Sequence, residues 1–175
     1  MSLASTLLRL TVGGFFVGHG LQKLTGAFDG PGLAGTEQMM SGTGMHPAGR
    51  NARLVAVTET AGGAALALGA ATPLAAAGIV GTMVTAIRKV HASKGPWVTE
   101  GGYEYNAVLI AAAAALASGP GGPSVDQLFG KKSWGAGGTV FALVAGVVAS
   151  FVAVELGKRA TPPADAGDAA GGDAS

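Results

Sequence analysis

His19, Gln22 and Lys23 stand at i, i+3 and i+4, so a helix through them presents an imidazole, an amide and an ammonium on one face. These groups can hold and move protons, since histidine is the side chain that titrates near neutrality. Glu59 falls at matching depth in the next apolar run, where an unpaired carboxylate is costly, so a contact with His19 or Lys23 is expected. That contact reads equally as a structural pair or as a proton donor or acceptor beside an apolar chamber. A second group flanks the segment KVHASKGPWVTEGGYEY. Arg88 and His91 close one apolar run, while Tyr103, Glu104, Tyr105 and Asn106 open the next. Interfacial dressing accounts for such residues, and convergence of three helix ends on one polar cap would make them a headgroup site. Arg9, two turns into the first run, either snorkels to headgroups or makes an ion pair or anion contact inside a bundle.

The elements that must position these groups are apolar and long. Of 175 residues, 12% are charged, against about 25% in a soluble domain. The hydrophobic share is 49% and glycine alone fills 31 positions. The few charges cluster between five apolar runs, Leu3 to Leu24, Arg53 to Ala71, Thr72 to Lys89, Tyr103 to Ser118 and Gly135 to Leu156. At 1.5 Å per residue the first covers about 33 Å, enough for a bilayer core. The fourth is near the short limit for a span. Arg9 inside the first run and the lack of a basic start argue against a cleaved signal peptide. The expected fold is all-α, a polytopic transmembrane helix bundle with a four-helix membrane core over residues 1–130. A fifth, C-terminal transmembrane helix occupies 131–159, and an acidic tail expected to be disordered occupies 160–175. Gly14 and Gly18 offer a small-residue packing step on the first span, and Gly62 and Gly63 another on the second.

Basic residues orient such a bundle. Lys23, Arg50, Arg53, Arg88, Lys89, Lys94, Lys158 and Arg159 fall on one side, and Arg9, Lys131 and Lys132 on the other. The positive-inside rule then predicts a multi-pass protein of a bacterial-type inner (plasma) membrane, N-terminus outside and C-terminus cytoplasmic. Several chemistries are excluded or unsupported. With no cysteine, disulfides, thiolate catalysis and cysteine-held iron–sulfur clusters are absent from this chain. His19, His46 and His91 lack metal-ligand spacing, and no metal site is expected. The glycines of residues 12–20 open no strand-to-helix unit, no nucleophile elbow exists, and no basic patch or recognition helix points to nucleic acid.

The opening LLRLTVGGFFVGHGLQKL, the segment ETAGGAALALG, the stretch IRKVHASKGPWVTEGGYEYN and the ending GPGGPSVDQLFG, in this order and spacing, resemble the DoxX family of small membrane proteins over roughly residues 5 to 130. The family pattern falls on Arg9, Gly14, His19, Gly20, Lys23 and Leu24, on Glu59, Gly62 and Gly63, and on Lys89, His91, Gly101, Gly102, Tyr103, Glu104 and Asn106. It closes on Gly119, Pro120, Gly121, Ser124 and Asp126. The resemblance implies a four-helix membrane core and a link to membrane oxidoreductase systems, with the fifth helix and the tail beyond that core. Three functions follow as expectations. One is an integral membrane subunit or scaffold of an oxidoreductase system, with protein partners in a membrane complex and no bound cofactor of its own. A second is a quinone-binding or quinone-reducing protein with His19, Lys23 and Glu59 as proton-handling groups. The third is a small-solute or lipid transporter, weakened by the lack of a polar path across the second, third and fifth spans.

Overall fold

The computed structural model describes residues 3–160, and the tail beyond Ala160 lies outside them. The described chain is helical throughout, with no strand. Helix α1 runs Leu3–Thr25, α2 Gly32–Gly42, α3 Ala48–Leu68, α4 Thr72–Ala86, α5 Glu104–Ala117, α6 Val125–Leu128 and α7 Gly135–Arg159. α4 continues beyond Ala86 through a π turn at Ile87–His91 and a 3-10 turn at Ala92–Lys94. α1 packs on α3, α3 on α4, and α4 on both α5 and α7. Leu66, Ile79, Val80 and Leu116 are fully buried where these helices meet.

Small residues set the close crossings. A Cβ on Gly13 would sit 2.5 Å from the Gly63 carbonyl and 2.6 Å from the Ala67 nitrogen, so here the backbones of α1 and α3 touch. Gly20 likewise lies against Thr60, and Gly146 of α7 against Val80 and Ala77 of α4. The packing step of α1 therefore falls on Gly13 and Gly20. Gly14 and Gly18, expected to carry it, meet nothing within 4 Å in this chain. The reason is phase: Val12, Gly13, Phe16 and Gly20 share the buried stripe, one residue away from the Gly14 and Gly18 pair. On α3, Gly63 is in the contact, while Gly62 has only the Ala75 carbonyl at 3.8 Å.

Two helices are long and apolar enough to cross a membrane, α4 with its extension to Lys94 and α7. α7 is not a buried core helix: 28% of its most apolar window is buried, and Val140, Val144, Val148, Phe151 and Val152 lie open along it, whereas α4 up to Ala86 is enclosed by α3, α5 and α7. α1 and α3 have the length but are less apolar, and α5, with 14 residues, is about 21 Å long. Boundaries shift from the apolar runs. α3 starts five residues early, at Ala48, and ends at Leu68, because Gly69 adopts the left-handed conformation (φ 65°) that closes a helix. α2 and α6 arise where only loops are expected, since glycine-rich GLAGTEQMMSG and four-residue VDQL carry little periodic signal.

Candidate functional site

The bundle has a polar cluster at each end. At the end formed by the α3–α4 turn, Asp126 is the centre. Its carboxylate accepts from the Ala71 N–H (2.7 Å), the Thr72 N–H (3.0 Å), the Thr72 hydroxyl (2.6 Å) and the Trp134 indole N–H (3.1 Å). It thus satisfies the first backbone donors of α4 from across the fold, doing for that helix what an N-cap residue does locally. Burial pushes this carboxyl upward, but the hydrogen bonds from Thr72, Trp134 and Ala71 outweigh it and hold Asp126 below the usual carboxylate range. Arg9 is buried beside it, donating to the Pro120 carbonyl at 3.0 Å and the Pro123 carbonyl at 2.7 Å. Of the two expectations for Arg9, snorkelling is thus corrected: the side chain turns inward because the proline-rich loop, whose prolines lack N–H groups, offers carbonyl acceptors within reach. The Gly69 Cα lies so close to this guanidinium that a Cβ would collide with it.

At the opposite end, a cavity of about 680 Å³ opens between α1, α3, α4, α5 and α7, with α2 and the loop after it along one side. Its walls are mainly apolar. Lys23 donates to Glu59 Oε2 at 2.5 Å, and this pair lines the cavity with His19, His91, Tyr105 and Asn106. Of the two partners open to Glu59, the structure gives it Lys23. His19 instead shares a 3.0 Å hydrogen bond with Gln22 Oε1. His91 Nδ1 lies 2.6 Å from the Gly101 carbonyl, and a carbonyl can only accept, so Nδ1 carries a hydrogen and donates to it. The π turn of α4 brings Lys89, Val90 and His91 together onto the wall, a use for which such turns recur.

Four expected site residues do not line the cavity. Gln22 serves His19 and the Phe28 carbonyl, and the Glu104 carboxylate accepts from the Val98 N–H, closing the loop before α5. Tyr103 sits at the α5 cap position. Arg88 turns away to α7, donating to the Ser150 carbonyl at 3.0 Å. Conversely, Asn51 was not anticipated: it is 93% buried, lines the cavity, and its side-chain Nδ2 has no hydrogen-bond partner. Asn51, Leu54, Val55, Thr58 and Glu59 all line the cavity at i, i+3, i+4, i+7 and i+8, so the signal was available as one helical stripe through Glu59. Met39, Met40, Met45 and Met83 add a flexible, polarizable lining that adapts to irregular apolar shapes. Asn106, also buried, spends its amide on the Met83 sulfur at 3.4 Å.

Such a chamber suits an amphiphile with a hydrogen-bonding head. Its volume lies in the range of small-molecule sites, its polar groups are few and grouped, and one of its lining residues, Asn51, carries a buried side-chain donor without a partner. Among the described residues no group of three or more His, Cys, Asp or Glu is placed to hold a metal ion. A family model described as DoxX matches residues 4–92, which takes in α1 to α4 and stops short of the GGYEY and GPGGPS motifs. Nothing matches among curated proteins or among solved structures.

Proposed function

The chain belongs to the DoxX family, whose members are small membrane proteins, and on that premise we propose that it is a quinone-holding subunit of a membrane oxidoreductase system. The observation that carries this reading is the buried Asn51 amide with an unspent N–H on the wall of an apolar cavity. An unmet buried donor costs about 1–3 kcal/mol, a cost that a ligand carbonyl removes on binding. A quinone supplies two-electron chemistry and carbonyl oxygens on an apolar ring. The chain's own residues would bind and orient it: Asn51 donates, His91 when neutral accepts at Nε2 from the hydroxyl form, and Lys23 with Glu59 holds a charge pair within the same chamber. Electrons come from a partner, because this chain has no cysteine with which to hold a cluster or run thiol exchange.

In the membrane, α1, α3, α4 and α5 form the four-helix core over residues 1–130 and α7 the fifth span over 131–159, with the N-terminus outside and the cavity end cytoplasmic. Support comes from exposed apolar side chains on α1, α3, α5 and α7, among them Leu7, Phe15, Val57, Val108 and Val148, together with the basic residues gathered at the cavity end. The test is equilibrium binding of a one-isoprene benzoquinone to the purified protein in detergent. Asn51→Leu should weaken binding about tenfold, the equivalent of one hydrogen bond of about 1.4 kcal/mol, without lowering the thermal midpoint. Equal affinity in Asn51→Leu, Glu59→Gln and the unaltered protein would overturn the assignment.

A further inference from the structure

Arg88 is a guanidinium fixed in place by contacts that include no ion pair. Its Nη1 donates to the Ser150 carbonyl at 3.0 Å and lies 3.3 Å from the Ser150 hydroxyl, and its centre stands 3.8 Å over the Phe151 ring. Ser150 is itself buried, so the anchor is rigid. The ion pairs among the described residues join Lys23 to Glu59 and both Lys158 and Arg159 to Glu155, and none reaches Arg88. Its Nε and Nη2 donors remain, forming the planar fork that matches two oxygens of a phosphate.

The surroundings carry both halves of an amphiphile. Arg88, Phe151, Val152, Glu155, Leu156 and Arg159 line an outer groove of about 380 Å³ between the end of α4 and α7, separate from the cavity described above. Lys158 stands beside it on the same turn as Arg159. Three cations therefore face one carboxylate, Glu155, which Lys158 (3.9 Å) and Arg159 (3.4 Å) already share. From this rim the exposed side chains of Phe151, Val148 and Val144 continue down a helix apolar enough to cross a membrane. A free anion would use the rim and leave that face bare, while an apolar chain alone would leave the guanidinium unanswered.

We propose that the groove between α4 and α7 binds an anionic phospholipid, its phosphate on Arg88 and its acyl chains along the valine and phenylalanine face of α7. α7 lies outside the family match, and Arg88 inside it, so this site exists because the added helix meets the end of α4. The juxtaposition is electrostatically apt for the acidic leaflet that basic helix ends face. It does not depend on the quinone reading, since none of the proposed headgroup contacts belongs to the cavity.

The experiment adds phosphatidylglycerol, phosphatidylcholine of the same chain length, or inorganic phosphate to the full chain in detergent, and reads retained lipid by native mass spectrometry alongside the thermal midpoint. Phosphatidylglycerol should bind at least tenfold tighter than phosphatidylcholine and raise the midpoint, with phosphate at the same concentration doing neither. Arg88→Gln should erase the preference, Arg88→Lys should keep only part of it, and Lys131→Gln, at the opposite end, should retain it in full. Should Arg88→Gln not fold, Arg159→Gln at an exposed position must reduce the preference. Equal binding of the two lipids, a preference untouched by the Arg88 and Arg159 variants, or a midpoint shift reproduced by phosphate alone would each overturn the proposal. Quinone affinity measured on the same variants should not change, which separates failure here from failure of the cavity assignment.

Discussion

The two polar ends of the bundle use the same chemical types to opposite effect. Around Asp126, four donors converge on one carboxylate, and Nη1 and Nη2 of Arg9 are spent on loop carbonyls while its buried Nε, away from the cavity, has no partner. Around Glu59, a single ammonium meets the carboxylate, a buried amide has no partner, and a 680 Å³ space adjoins them. A polar cluster whose hydrogen bonds tie one turn of the bundle to the loop across from it is a clasp. One that keeps an unused donor beside a cavity has capacity left for another molecule.

That contrast breaks if substitutions at the two ends behave alike. Asp126→Ala should have the largest effect, about 3 kcal/mol lost in detergent unfolding, because it strands the first donors of α4 and the Trp134 indole. Acidification should mimic it. Asp126 is held below its unfolded value, so its stabilisation is complete above about pH 4–5, where the unfolded chain is also ionised, and is lost as pH falls through the folded value. Unfolding curves of the unaltered protein and Asp126→Asn should accordingly converge as pH drops below about 4. At the cavity end, Glu59→Gln should cost only about 1 kcal/mol, since Lys23 keeps one fifth of its side chain exposed and can turn to water. Asn51→Leu should change stability least, staying within about 0.5 kcal/mol or gaining, because the amide it removes had no partner to lose. A loss for Asn51→Leu as large as that for Asp126→Ala would show that both ends are structural.

How legible each end was in the sequence follows from the range of its interactions. A contact of Glu59 with either Lys23 or His19 could be read from the sequence, because helical spacing and membrane depth are properties of single apolar runs, though not the choice of Lys23 over His19. The partners of Arg9 could not, since Pro120 and Pro123 are more than a hundred residues away and offer backbone carbonyls, which leave no mark on residue type. The small-residue step on α1 was visible as a class of residue but one position out of phase. Both Gly13 and Gly14 satisfy a spacing rule, and only packing against Gly63 decides between them. Gly13→Ala should therefore destabilise by about 1–3 kcal/mol through backbone collision, whereas Gly14→Ala meets open space. Arg88 and Glu104 were recognised as polar groups near the cap, but which way each turned depended on α7 and on the loop before α5.

The π turn at Ile87–His91 divides α4 into two registers. Such a turn holds one residue more than an α turn, so the residues after it lag by about 100° behind where an unbroken α-helix would place them. Up to Ala86 the phase is fixed by neighbours on three sides, α3, α5 and α7. After it, the phase answers to the chamber and to the Gly101 carbonyl that holds His91. One helix thus carries two independent alignments, and regularising Ile87–His91 to α geometry with all its residues kept would swing the imidazole off the chamber wall while leaving the bundle's own contacts in step.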